Sequence, residues 1–289
     1  MLSVVIEACR PRQWVKNLLV FAAPLVARTL TEMTVVIETT IAFVSFCAAS
    51  SAMYLVNDLR DRRADSAHPR KQMRPIASGR LSPRTAGLTA MLLLLASVIL
   101  AALVSFATLG VISLYLLSTT VYSAYLKRIP ILELVVLASG FVLRALAGAV
   151  AANVPPSKWF LLCVLFGSLF IAIKKRYAEM PVGSSVSSTR HVLAWYSATV
   201  LHIMARLAGA LFIFSYLGWS IAADHQTGQE YALRIFSAVP FAIAVARYEH
   251  AAAGENGESP EDLFASDRVL QLLGVAWFAL VSASIYLAR

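Results

Sequence analysis

The sequence predicts an all-α fold: a polytopic membrane protein of nine transmembrane helices, with the N-terminus in the cytoplasm and the chemistry at the cytoplasmic face. Three observations predict it. Of 289 residues, 59% are hydrophobic and 14% charged, against roughly 25% charged in an ordinary soluble domain, and the mean hydropathy is +0.71. The apolar residues gather into runs long enough to cross a hydrocarbon core about 30 Å thick. The basic residues sort to one side of those runs.

Taken in order, the first run, about 14–31, is the shortest in uncharged length: the stretch from Asn17 to Ala27 follows Arg10, Arg12 and Lys16, a layout shared with signal peptides. It reads as a span because no clear small-residue cleavage site follows. The remaining runs lie at about 35–56, 85–107, 109–126, 131–152, 157–174, 196–222, 231–248 and 268–288, each of a length and apolarity expected of a membrane helix. With the N-terminus inside, 19 of the 25 lysines and arginines fall in cytoplasmic segments, while Arg28, Lys158, Arg234 and Arg289 fall outside and Arg144 and Arg206 lie within spans. Positive-inside sorting of this kind sets the orientation and places the chain in the plasma membrane as a multi-pass protein. Outer connections are very short; the inner ones include about 57–84, 127–130, 175–195 and 249–267. Long segments on one face of a bundle carry function. The chain reads as one domain over 1–289.

The same composition excludes a disordered chain, a collagenous fibre and a disulfide-stapled secreted domain. Three cysteines cannot all pair with one another. Cys47 and Cys163 read as small buried hydrophobes, and Cys9 sits in a basic segment. No separate basic domain exists to hold nucleic acid. The net charge of +9 belongs to the inner face, where it serves topology and attraction to anionic membrane lipids or a polyanionic substrate. A homo-oligomer is compatible with the sequence.

At the cytoplasmic end of the second span stands Asn57-Asp58-Leu59-Arg60-Asp61-Arg62-Arg63-Ala64-Asp65. Spacings of three and four stack the carboxylates of Asp58, Asp61 and Asp65 along one helix face. Like charges so placed repel unless a cation lies between them, and hard oxygen ligands favour Mg²⁺, which commonly bridges protein carboxylates to substrate phosphates. The bland alternative is a solvated helix end whose aspartates pair with Arg60, Arg62 and Arg63. Against it stands the run His68-Pro69-Arg70-Lys71-Gln72-Met73-Arg74-Pro75-Ile76-Ala77-Ser78-Gly79, whose cations and glycine turn suit a diphosphate.

The pattern NDxxDxxxD followed by RPxxSG, with Tyr122-Ser123 and Leu126-Lys127-Arg128 after the fourth span, resembles the UbiA superfamily of intramembrane prenyltransferases over most of the chain. Members of that superfamily typically carry a second aspartate-rich motif after the sixth span. Here that position reads Lys174-Lys175-Arg176-Tyr177-Ala178-Glu179, a reversal of charge. Fewer carboxylates imply fewer metals, and extra cations imply additional phosphate charge to be neutralised.

The phosphoribosyltransferase branch of the superfamily has this makeup. Arg10-Pro11-Arg12-Gln13-Trp14-Val15-Lys16-Asn17, Lys175-Arg176 with Glu179, and the run from Phe141 to Gly148 are similar to it. The resemblance implies Mg²⁺-dependent transfer of ribose 5-phosphate from phosphoribosyl diphosphate to decaprenyl (polyprenyl) phosphate, with release of diphosphate, on the way to the arabinose donor of mycobacterial-type cell walls.

On that reading Asn57, Asp58, Asp61 and Asp65 are the metal set, with Asp58, Asp61 and Lys127 catalytic. Lys71, Arg74 and Lys127 meet the diphosphate and the ribose phosphate. Lys16, Asn17, Lys175 and Arg176 meet the 5-phosphate or the lipid phosphate, and Tyr122 positions the sugar or the metal-bound oxygens. Gln13, Arg60, Arg128 and Glu179 complete the substrate-binding set. Two other readings compete: a prenyltransferase acting on an aromatic acceptor, and a lipid transporter, which would place its charges near the midplane rather than at one face.

Arg144 lies about 13 residues into the fifth span, roughly 20 Å along a helix. At that depth it should face a cavity, a partner or a polar bundle interior, and a structural contact is favoured over catalysis. Arg206 is expected to behave in the same way. The acidic stretch from Glu249 to Asp267 reads as a solvated inner loop.

Overall fold

The computed structural model describes residues 1–69, 71–180, 191–222, 228–252 and 260–286. The described residues form helices and connecting turns, in two compact units: 1–124 with 143–155, and 125–142 with 156–289.

In the first unit, α1 (Leu2–Cys9) ends at Arg10, whose left-handed backbone (φ 54°) turns the chain into a 3-10 segment, Pro11–Phe21. The short α2 (Ala22–Val26) and a 3-10 turn, Thr29–Thr31, follow, with Arg28 again left-handed between them (φ 64°). The region expected as the first membrane helix, 14–31, is therefore a chain of short helical pieces. Pro11 starts the tight segment, and packing holds it close to the bundle: a Cβ on Gly148 would collide with the Val20 carbonyl oxygen, so only glycine admits that approach.

The central helix is α3 (Met33–Arg60), 28 residues long, or about 42 Å. After it come α4 (Arg62–Ser66), α5 (Pro83–Val104) and α6 (Phe106–Ala124). Ser82 caps α5 by accepting from Thr85 N at 3.1 Å, with Pro83 at the first helical position, where its missing N–H costs nothing. Small residues on α3 and α5 bring the two backbones together, and Ser45 Oγ donates to the Ser97 carbonyl at 2.8 Å, a contact type expected where lipid supplies no hydrophobic drive between helices. Val20, Ala42, Phe46, Ala49, Ala101, Ile112 and Tyr115 pack with the end of α7 (Leu132–Ala151). On α5, Leu88, Leu92, Leu95 and Leu103 stay exposed, as a lipid-facing stripe should.

The second unit takes the first half of α7, then α8 (Lys158–Ala178), α9 (Ala198–Ile221), α10 (Gln229–Phe236), α11 (Ala238–Ala251), α12 (Pro260–Ser266) and α13 (Arg268–Tyr286). Pro240 lacks the N–H that would bond to the Phe236 carbonyl, and α10 ends at Phe236. Phe170, Ile173, Tyr196, Leu201, Val245 and Tyr248 form the core. Part of the acidic stretch expected as a loop is α12; residues 253–259 lie outside the described residues.

Among the described residues, seven helical stretches are long and apolar enough to cross a membrane. The two expected spans not among them are 14–31, whose helix is broken, and α8, which has the length but carries Lys158 at its start and Lys174, Lys175 and Arg176 at its end.

Candidate active site

The acidic motif straddles a helix junction. α3 ends at Arg60, and Asp61 is the joint, yet the helical bonds continue through it: Asp61 N donates to Asn57 O at 2.9 Å and Asp65 N to Asp61 O at 2.8 Å. Asp58 and Asp65 are both 4% exposed. They converge on one guanidinium, since Arg74 Nη1 donates to Asp58 Oδ1 at 3.1 Å and to Asp65 Oδ2 at 2.7 Å. Arg10 covers Asp58 from the other side, its Nη2 lying 2.6 and 2.8 Å from the two carboxylate oxygens. Asp58 and Asp65 thus pair with Arg10 and Arg74.

Local sequence sets up this meeting. Ser78 N bonds to Arg74 O at 2.9 Å and Leu81 N to Pro75 O at 2.8 Å, closing a turn that requires Gly79 at φ 78° and fixes Arg74. Ser66 Oγ donates to Ala77 O at 3.1 Å, tying α4 to the same turn. Arg70 lies outside the described residues.

Among the described residues no three His, Cys, Asp or Glu side chains are gathered to hold an ion. The donor chemistry nevertheless fits a divalent cation that competes with Arg10 and Arg74 for these oxygens: two buried carboxylates lie together, and hard oxygens of this kind are what Mg²⁺ takes. Asn57 and Asp61 stand half-buried beside them.

Other expected site residues of this unit are placed as follows. Lys16 Nζ donates to Gln13 Oε1 at 2.6 Å. Asn17 is 1% exposed and turns inward: its Oδ1 accepts from Arg144 Nε at 2.7 Å, and its Nδ2 reaches Ser50 Oγ and Cys47 Sγ at 3.3 Å. Arg144 also donates to Tyr115 OH at 3.1 Å, the polar interior that its depth requires. Lys71 and Tyr122 are half-buried. Arg60 is exposed, with Nη2 3.4 Å from Ala124 O.

In the second unit Lys127 is half-buried and Arg128 exposed, on a 3-10 turn, Leu126–Arg128. The chain leaving that turn is pinned at Ile131, a β-branched residue at φ 65°, a conformation that surrounding contacts must enforce; its N–H donates to Tyr196 OH at 2.6 Å. Burial pushes the Tyr196 hydroxyl above the usual tyrosine range, against the pull of that N–H. Two residues on, Glu133 is fully buried and receives Arg176 through two parallel bonds of 2.7 and 2.8 Å. Arg176 Nη1 also donates to Glu179 at 2.8 Å. Arg176 is therefore committed to two carboxylates, whereas Lys175 beside it is half-buried.

Arg206 departs from expectation. Its side chain is 68% exposed and pairs with Glu249 at 3.3 Å, because it sits only two turns into α9, near enough to the helix end to reach outward. Residues missed from the sequence are Arg10 as the partner of Asp58, and Glu133. The signal for Glu133 was present: a carboxylate inside an apolar run needs a partner.

A polytopic helical fold with a buried carboxylate pair beside a basic turn defines a class of integral-membrane transferases, and the chain belongs to the UbiA prenyltransferase family, which matches residues 18–264. Within that family it is 37% identical to the decaprenyl-phosphate phosphoribosyltransferase of Mycolicibacterium smegmatis, over 99% of this chain and 93% of the relative. It is 40% identical to the enzyme of the same name from Mycobacterium tuberculosis, over 97% of this chain and 94% of that one. In three dimensions it resembles a UbiA homologue from Archaeoglobus fulgidus bound to GPP and Mg²⁺, with a TM-score of 0.71 at 16% identity over 97% of this chain and 98% of the other.

Proposed function

We propose that this protein transfers the 5-phosphoribosyl group from phosphoribosyl diphosphate to decaprenyl or another polyprenyl phosphate, releasing diphosphate, in the supply of cell-wall arabinan precursors. Near-full-length similarity to phosphoribosyltransferases of the family carries this reading. Half-buried Lys175 at the end of α8 supports it, a cation that a prenyl diphosphate and a neutral aromatic acceptor would not need.

The chain works as one transmembrane domain in the plasma membrane. The broken helix 14–31 and α8 join the seven long helices to give nine crossings, with the N-terminus and the acidic motif on the cytoplasmic side; the distribution of lysine and arginine supports that orientation.

The lipid phosphate is ionised at neutral pH, so no general base is required; the protein must align it against C1 of the ribose and stabilise charge. Asp58 and Asp65, with Asn57 and Asp61, would hold Mg²⁺, which supplies charge neutralisation for a departing diphosphate. Arg74 and Lys71 take the diphosphate side of the donor. Lys127, on the pinned turn, and Lys175 meet the remaining phosphates, with Lys16 and Gln13 on the N-terminal segment and Arg128 at the rim. Tyr122 orients the sugar. Asn17, Arg176 and Glu179 act from behind, holding the surfaces on which the phosphate ligands stand. In-line attack predicts inversion at C1.

The test is an assay of detergent-purified protein with radiolabelled phosphoribosyl diphosphate, polyprenyl phosphate and Mg²⁺, following label into the organic phase. Chelator-sensitive transfer is expected. Label from a prenyl diphosphate reaching an aromatic acceptor, with phosphoribosyl diphosphate ignored, would overturn the reading.

A further inference from the structure

Asp58 is 4% exposed and held between two arginines. Both of its oxygens accept from Arg10 Nη2, and Oδ1 accepts from Arg74 as well. A divalent cation approaching this carboxylate competes with both arginines, and the two are not equally held. Arg74 has a second anchor in Asp65 at 2.7 Å. Arg10 has one carboxylate, held through a single nitrogen rather than through the two-nitrogen fork that makes arginine pairs strong, and otherwise lies over the Tyr54 ring at 4.8 Å. Its side chain is 29% exposed, so it can turn without opening the core.

The backbone on both sides of Arg10 is fixed to the bundle. Ser51 Oγ donates to Cys9 O at 3.0 Å and accepts from Trp14 Nε1 at 3.0 Å, and Glu7 is clamped by Arg80 at 2.7 and 2.9 Å. Any movement of the guanidinium is thus a side-chain rotation about a pinned left-handed residue. Once a dication sits on Asp58, repulsion drives the displaced guanidinium to the nearest anion. In a metal-bound donor complex that anion is the diphosphate, whose oxygens match an arginine fork.

We propose that Arg10 is a substrate-phosphate ligand held in reserve on Asp58, released when a divalent cation takes the carboxylate and then turned onto the diphosphate of the phosphosugar donor. The proposal rests on the phosphoribosyl-transfer reading and adds a residue to its site. Arg10 opposes metal binding before the donor arrives and supports donor binding afterwards.

That double role gives effects of opposite sign in one variant. In Arg10→Gln, Mn²⁺ binding to the substrate-free, full-length protein in detergent, read by the EPR signal of free Mn²⁺, should tighten about tenfold, and KM for phosphoribosyl diphosphate at saturating Mg²⁺ should rise about tenfold, the size of one charge-assisted hydrogen bond. KM for polyprenyl phosphate should stay within about twofold of the parent. Arg10→Lys keeps the charge and should hold Mn²⁺ affinity near the parent value while restoring part of the donor KM. Unchanged or weaker Mn²⁺ binding in Arg10→Gln overturns the proposal, as does tighter binding with an unchanged donor KM. If the parent protein transfers no phosphoribosyl group, the functional reading itself fails and the proposal falls with it; a parent that turns over beside an indifferent Arg10→Gln sinks only the role of Arg10.

Discussion

Arg144 Nε donates to Asn17 Oδ1 at 2.7 Å across 127 residues of sequence, with both side chains buried. The pair fastens the tight Pro11–Phe21 segment to α7. A guanidinium about 18 Å along a helix is costly unless hydrogen-bonded, and Asn17 supplies the short bond while Tyr115 OH supplies another at 3.1 Å. Asn17→Ala should therefore cost about 1–3 kcal/mol of stability, seen as a lowered thermal midpoint in detergent. The double variant Asn17→Leu/Arg144→Met should lose less than the sum of the two single variants, because it removes the stranded charge together with its partner.

The same segment tests a steric argument. With the Val20 carbonyl oxygen where a Gly148 side chain would begin, Gly148→Ala must push the 3-10 segment away from α7. Overpacking of this kind costs about 1–3 kcal/mol, whereas Gly87→Ala, with open space around its Cβ position, should be neutral or mildly stabilising by helix propensity. Thermal midpoints of the two variants, measured side by side, separate the steric effect from a general intolerance of alanine.

Glu7 and Arg80 tie α1 to the turn after the acidic motif. The Arg80 hydrogen bond and charge hold Glu7 below its ordinary value, so the tether is fully present above the unfolded glutamate value and is lost as pH falls through the lower folded one. At neutral pH, Glu7→Gln should speed amide hydrogen exchange over residues 2–9 relative to the parent. The difference between the two should vanish in acid, below the folded value of Glu7; a difference that persists there would show that the carboxylate charge is not the tether.

How far the fold was legible follows from which physics writes itself locally. Apolar runs specify long helices without reference to anything distant, and α3, α5, α6, α7, α9 and α13 fall where the runs predict. The run at 14–31 is apolar too, yet it does not make one helix, because Pro24, with no N–H for the Val20 carbonyl, left-handed Arg28 and the contact at Gly148 break it, and only the first of these is visible in the sequence. In the site, the spacing of Asp58, Asp61 and Asp65 identified the acidic face but not its partners. Arg10 lies 48 residues from Asp58 and Glu133 lies 43 from Arg176, separations at which periodicity carries no information. At the basic end of α8 the sequence put Lys175 and Arg176 alike on phosphate; burial divides them, since Arg176 is enclosed by Glu133 and Glu179 while Lys175 is half-buried.

That division makes the last prediction. Arg176 is 2% and Glu133 0% exposed at their side chains, so removing Arg176 strands Glu133 as a buried charge, at a cost of about 3–5 kcal/mol, while removing Glu133 leaves buried Arg176 with Glu179 alone. Glu133→Ala and Arg176→Ala should each lower the thermal midpoint sharply, and Glu133→Leu/Arg176→Met should recover much of it, because a buried pair replaced by apolar groups of similar volume is often neutral. Lys175→Asp, one residue away, should leave the midpoint near the parent value and raise KM for one of the two phosphate substrates, since its side chain is only half-buried. Paired melting curves and steady-state kinetics distinguish the two residues. Equal thermal losses at 175 and 176 would make the whole basic end of α8 structural, while unchanged kinetics in Lys175→Asp would remove that lysine from the substrate site and leave it a topological charge.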